Sequence, residues 1–280
     1  MPRAEGRLRP YVGLALLLGW LVSAIPVFAA DVRNELVKSS TIEQILQRGA
    51  LKVGFSTFVP WAMQNKNGEF IGFEIDVARR LAKDMGVTLE LVPTKWSGII
   101  PSLLTGKFDL LIGGMTITPE RNAKVNFSTP YSYSGMSLVA DRTRAKDYAT
   151  LADFNQPGVL VVARIGTTAA AAAKKHLPRA ELRLFDEEPQ AVQELLNGRA
   201  HALVAMAPLP ATLALRHPDK LFLPLAEPFT KEPNGIALRK GDVDTLNYVN
   251  NWIAAVQAED WIQERYRYWF ESLDWEKDVQ

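Results

Sequence analysis

One ten-residue pattern occurs twice in the chain. Leu103-Leu104-Thr105-Gly106-Lys107-Phe108-Asp109-Leu110-Leu111-Ile112 aligns without gaps with Leu195-Leu196-Asn197-Gly198-Arg199-Ala200-His201-Ala202-Leu203-Val204, about 92 residues later. Each copy reads as the end of a helix, a glycine turn and an apolar strand. Before the first copy, Leu51 to Phe55 reads as a buried strand. Ile75, Ala78, Leu81, Ala82 and Met85 recur at helical spacing up to Gly86, and Val87, Leu89 and Leu91 alternate as a strand. Before the second, Val159 to Ala163 reads as a strand, Thr168 to His176 as an Ala-rich helix and Leu182 to Phe185 as a strand. Alternating strands and helices predict mostly parallel sheets covered on both faces. The repeat makes these two related α/β lobes facing each other across a cleft. Ligands of such open sheets sit beyond the carboxyl ends of the strands, so the segments after Phe55, Ile112, Ala163 and Val204 should line the site.

Composition narrows the chemistry that such a cleft can carry. The 280 residues contain no Cys, which excludes a disulfide framework, a thiolate nucleophile and a cysteine zinc site. A formal net charge of +1 offers no field for nucleic acid. There is no Gly-x-Ser-x-Gly elbow, no His pair at metal spacing and no phosphate-binding or dinucleotide glycine pattern, so neither a cofactor nor a metal is expected. Arg3, Arg7 and Arg9 precede an apolar run from Tyr11 to Val22 and small residues up to Ala29, the texture of a secretory signal peptide over residues 1–29. Its removal takes away those three Arg and Glu5 and turns the charge from +1 to −1. The remainder is expected to be exported. Thr41 is expected to cap a short helix, Ile42 to Gln47, that stops at Gly49.

The four strand-end segments offer particular groups. After Phe55, Phe58 and Trp61 stand on a Pro-containing loop, as core edge or as a ligand platform, and Trp96 follows the strand that starts at Val87. Aromatic faces attract ammonium, guanidinium and flat apolar groups alike. After Ile112, Gly113 and Gly114 permit close approach of a ligand, Thr116 offers a hydroxyl, and Thr118-Pro119 opens a helical turn that can bring Arg121 back to the cleft. Arg121 is then either a solvated helix residue or a fork for a carboxylate. After Ala163, Thr167 or Thr168 caps a helix whose N-terminus can bind an anion, with Arg164 beside it.

These segments resemble the amino-acid type of extracellular solute-binding protein, the family that serves polar amino acid ABC transporters. Gly72-Phe73-Glu74-Ile75-Asp76-Val77 is similar to the family's Gly-Phe-(Asp/Glu)-x-(Asp/Glu) pattern. Thr116-Ile117-Thr118-Pro119-Glu120-Arg121 resembles its ligand segment, and Gly166-Thr167-Thr168 its second-lobe turn. The resemblance implies a type II periplasmic binding fold: two α/β lobes joined by two crossing strands, with lobe 1 over residues 30–138 and 232–280 and lobe 2 over 139–231. It implies that Arg121 clamps a ligand carboxylate with Thr116 and the Thr168 N–H, that Phe58 and Trp96 pack on the ligand, and that the Gly114 carbonyl accepts from its ammonium. The implied partners are an amino acid or small carboxylate and an inner-membrane permease, with the chain a monomer in the periplasm and not an enzyme. Alternatives on the same fold are a cyclohexadienyl dehydratase-like enzyme and a ligand-sensing adaptor. One position departs from the family: Met206 stands where an acid usually meets the ligand α-ammonium, and a thioether cannot offset a buried cation. Either Asp186, Glu187 or Glu188 supplies the charge, or the ligand lacks a free α-amino group.

Overall fold

The computed structural model describes residues 40–272 and 274–279. The leader expected over residues 1–29 lies outside them. The first lobe runs α1 (Thr41–Arg48), β1 (Ala50–Phe55), β2 (Met63–Gln64), β3 (Phe70–Ile71), α2 (Phe73–Asp84), β4 (Thr88–Pro93), α3 (Ile99–Leu104), β5 (Leu110–Leu111), α4 (Pro119–Asn122) and β6 (Asn126–Phe127). β7 (Ser132–Ser134) leads into a second lobe of β8 (Met136–Asp141), α5 (Leu151–Phe154), β9 (Leu160–Arg164), α6 (Thr168–His176), β10 (Glu181–Phe185), α7 (Glu188–Leu196), β11 (Ala202–Met206), α8 (Leu209–Arg216) and β12 (Leu221–Phe222). β13 (Glu232–Asn234) returns to the first lobe, which finishes with β14 (Ala237–Leu238), α9 (Val243–Ala258) and α10 (Trp261–Tyr266).

Two five-stranded sheets result, ordered β4-β1-β5-β14-β6 and β10-β9-β11-β8-β12. In both, the first two pairings are parallel and the last two antiparallel. Four of the five strands in each sheet thus run the same way, as expected of mostly parallel sheets. In each sheet the fourth strand follows a crossing strand and so runs against its neighbours. β7 and β13 pair antiparallel, Ser134 opposite Glu232, and form the double connection between the lobes. β8 lies wholly in the second sheet, so residues 136–138 belong to lobe 2 rather than lobe 1.

Burial explains the strand sequences. On β8, Leu138 and Ala140 pack with Val161, Ala172 and Ala173 of β9 and α6, while Val139 between them packs with Leu203, Leu195 and Leu213 on the other face. A strand buried on both faces shows no polar alternation. The edge strand β4, by contrast, alternates between exposed and half-buried residues. In lobe 1, Leu51 and Val53 of β1 meet Phe73, Val77 and Leu81 of α2, and Trp252, Trp269 and Trp275 of the C-terminal region close the same cluster.

The α1 cap differs from expectation. Ser40, not Thr41, is the N-cap residue and contributes no side-chain bond. The Thr41 and Ile42 N–H groups donate instead to Asp242 Oδ2 and Thr245 Oγ1, each at 2.9 Å, at the start of α9. Partners about 200 residues away satisfy the orphan donors of this helix start, and no local pattern can reveal them.

Candidate functional site

β1, β5, β9 and β11 end at one cleft between the sheets, where a cavity is lined by Phe58, Trp96, Gly114, Thr116, Arg121, Arg164, Thr167, Thr168 and Met206, together with Met136, Ala169 and Glu188. Nine of the ten residues read from the sequence thus meet at one place. Trp61 does not. It is 1% exposed, stacks beneath Phe58 with ring centroids 5.6 Å apart, and contacts Phe270 and Phe73 in the lobe 1 core. Its loop turns back on itself through paired backbone bonds between Phe58 and Ala62, which drives the second ring inward.

Gly114 sits at φ 59°, and a Cβ there would come within 2.9 Å of the Phe58 ring and 3.2 Å of Trp61. Only glycine lets the backbone reach the cavity floor on top of those rings. Arg121 is delivered by α4, whose start Thr118 caps by accepting from the Arg121 N–H. Its guanidinium donates to Thr116 O (3.0 Å) and, across the cleft, to Gly166 O (3.2 Å), and lies 5.5 Å over the Trp96 ring. Among the described residues no carboxylate lies within 4.0 Å of it. Burial lowers its pKa, opposed by the more distant Glu232 and Glu120.

On the opposite wall, Thr167 caps α6 by accepting from Ala170 N–H at 3.2 Å. The Thr168 and Ala169 N–H groups have no acceptor within the helix, and both residues line the cavity. Thr116 and Thr168 share a hydroxyl contact at 3.2 Å, and Trp96 Nε1 donates to Gly166 O at 3.0 Å, so the two lobes touch here.

Arg164 is 2% exposed and is spoken for: it donates to Ser56 Oγ of lobe 1 (2.7 Å), Glu187 Oε2 (3.0 Å) and Asp186 O (3.2 Å). It fastens the lobes together while lining the cavity beside the helix end. Glu187 and Glu188, which an extended backbone would point apart, both act on Arg164, because the chain enters α7 between them. Glu187 caps that helix and pairs with Arg164, while Glu188 reaches the cavity. His201 accepts from Leu160 N–H through Nδ1 at 3.0 Å.

Sequence reading missed Glu232 on β13, whose Oε2 accepts from Thr116 Oγ1 at 2.9 Å and whose Oε1 accepts from Thr230 Oγ1 at 3.0 Å. A lone Glu carries no motif, and only the crossing strands bring it to the site. Glu74, read simply as part of a pattern, proves fully buried beneath Gly114. Its Oε2 accepts from Tyr131 Oη at 2.6 Å, and burial pushes its pKa up to about 8 against the lowering effect of Tyr131 and the Gly114 backbone. The folded state therefore keeps a proton that the unfolded chain releases, and this group's contribution to stability falls as pH rises from the unfolded value toward 8. Glu74→Gln, neutral at every pH, is expected to match the parent near pH 5 and to exceed it on the order of 3 kcal/mol at pH 8, read by urea denaturation at both values.

The signature of the "Bacterial extracellular solute-binding proteins, family 3" matches residues 51–272. The L-cystine-binding protein TcyJ of Escherichia coli (strain K12) is 31% identical over 261 residues, which cover 93% of this chain and 96% of that one. The cyclohexadienyl dehydratase of Pseudomonas aeruginosa is 26% identical over 254 residues, 90% of this chain and 94% of that one. Among solved structures, the putative binding component of an ABC transporter from Wolinella succinogenes DSM 1740, complexed with lysine, superimposes with a TM-score of 0.78 at 40% identity, covering 82% of this chain and 99% of that one. With paired α/β lobes, a double crossing connection and a cleft whose polar groups match the family's motifs, the chain belongs to the bacterial extracellular solute-binding proteins, family 3.

Proposed function

We propose that this chain is the periplasmic receptor of an ABC importer, closing its two lobes on an amino acid and presenting the closed form to an inner-membrane permease. The observation that carries this reading is Arg121: a guanidinium in the cleft wall with no carboxylate partner among the described residues, facing a helix start with unpaired N–H groups. A ligand carboxylate satisfies both. Charge-assisted bonds of this kind contribute about 1.5–3 kcal/mol each. Arg121, Thr116, Gly114, Phe58 and Trp96 belong to lobe 1, while Thr167, Thr168, Arg164 and Met206 belong to lobe 2. A solute held by the first set favours closure only through the contacts it gains with the second. The names of the relatives, which bind cystine and lysine, agree with an amino acid as the solute.

A second reading, a dehydratase acting on a cyclohexadienyl acid, has one observation in its favour. Glu188 is a buried, protonatable carboxyl in an Arg-lined cleft, as a general acid would be. The receptor reading accounts for the whole cleft and is preferred. A thermal-shift screen over amino acids, their deaminated analogues and prephenate is expected to give a stabilised protein with one or more amino acids and no turnover of prephenate. Binding to the folded state alone raises the melting temperature by mass action. Turnover of prephenate, or a flat response to every amino acid, would sink the proposal.

A further inference from the structure

Glu188 is the first residue of α7, about nine-tenths buried, yet it lines two cavities at once. One is the cleft already described. The other is a neighbouring space between the lobes, which shares Phe58 and Glu188 with the first and continues past Val59, Val192 and Leu213. Among the described residues no donor lies within hydrogen-bond distance of the Glu188 carboxyl. Its neighbour Arg164 spends its hydrogen bonds on Ser56, Glu187 and Asp186 O. One arginine thus stands against two glutamates, with the second left unmatched at the junction of two chambers. Met206 cannot supply a negative charge to this wall, and Glu187 is occupied, so Glu188 is the carboxyl placed to do so.

Resting on the receptor reading above, we infer that Glu188 receives a cationic group of the solute, an ammonium or a guanidinium, and gives up a proton to the solvent when the solute binds. An unpartnered carboxyl is costly to bury ionised, and it holds its proton until a cation replaces it. Burial raises its pKa to about 7, with Arg164 pulling the other way, so the exchange falls in the neutral range. The other charged groups around it are Arg164 and Glu187 on its own side of the cleft, Arg121 across it, and Arg216 and His217 of α8 on the second cavity. Of these, His217 serves as the control.

The sign follows from linkage. Below its pKa the carboxyl is protonated, and a cation binds only after that proton leaves, so affinity falls as pH falls. Isothermal titration of the purified protein with L-lysine and L-arginine, in buffers of different ionisation enthalpy, is expected to show affinity about tenfold weaker at pH 6 than at pH 8. About one proton should be released per solute at pH 6. Glu188→Gln should abolish the release and flatten the pH profile, while His217→Gln keeps both. Norleucine lacks the side-chain cation and 6-aminohexanoate lacks the α-ammonium, so the one that retains the release identifies the group that meets Glu188, and hexanoate should show none. Pairing that is independent of pH and free of proton release in the unsubstituted protein overturns the inference without needing any variant. If the amino acids that stabilise the protein bind with no proton release and no dependence on pH, the inference fails and the receptor reading stands. If no amino acid stabilises it, both fail.

Discussion

Arg121→Ala is expected to weaken amino-acid binding by at least about 100-fold, with the melting temperature of the unliganded protein nearly unchanged. Truncating one partner of a buried, hydrogen-bonded charge pair costs about 2–5 kcal/mol, and a factor of 100 corresponds to about 2.7 kcal/mol. The cost is large because the bound carboxylate would be stranded in a cleft walled by Trp96 and Phe58. Arg121→Lys should fall between the two, since an ammonium keeps the charge but loses the fork that reaches Thr116 O, Gly166 O and the solute together. Thr168→Ala should cost far less, on the order of a fewfold, because its principal offering is a backbone N–H. Isothermal titration with the amino acid found in the thermal screen decides the matter: parental affinity in Arg121→Ala would remove the carboxylate clamp from the site.

Gly72→Ala is expected to destabilise the fold by about 3–5 kcal/mol, combining backbone strain with overpacking. Gly72 adopts φ 133°, which side chains rarely tolerate, and a Cβ there would sit 2.3 Å from the Trp61 carbonyl oxygen and 2.9 Å from Ala62 Cα. Both obstacles are backbone, so no rotamer change relieves them. The position joins the aromatic loop to α2: the Phe73 and Glu74 N–H groups donate to Pro60 O and Trp61 O. Displacing it moves the platform on which Phe58 and Gly114 rest, so a lower urea midpoint should come with weaker binding. Gly68→Ala, where the added carbon meets nothing within 4 Å, separates strain from collision, since φ 80° there leaves only the backbone cost. An unchanged urea midpoint for Gly72→Ala would show that the two loops can part without loss.

Much of the cleft was legible because its parts are local. The stretch from Thr116 to Arg121 contains its own cap and its own arginine, and Gly166-Thr167-Thr168 contains a turn and the start of a helix. Such units declare themselves through spacing. Trp61 could not be placed this way: Phe58 and Trp61 look alike in sequence, and only the turn between Phe58 and Ala62 sends one to the cleft and the other to the core. Arg164 reads as a companion to an anion site until Ser56, 108 residues away, takes one of its donors.

The sequence by itself determined the alternation of strands and helices, the doubling of the lobe, and the glycine and threonine positions that shape the cleft, because these depend on periodicity and on conformational limits within a few residues. The antiparallel fourth strand of each sheet was decided only by the tertiary structure, through the crossing of β7 and β13. So was the state of each charged side chain. Whether Arg121, Arg164, Glu74 and Glu188 are paired, stranded or protonated depends on which distant groups and how little water surround them, and the fold sets both at long range.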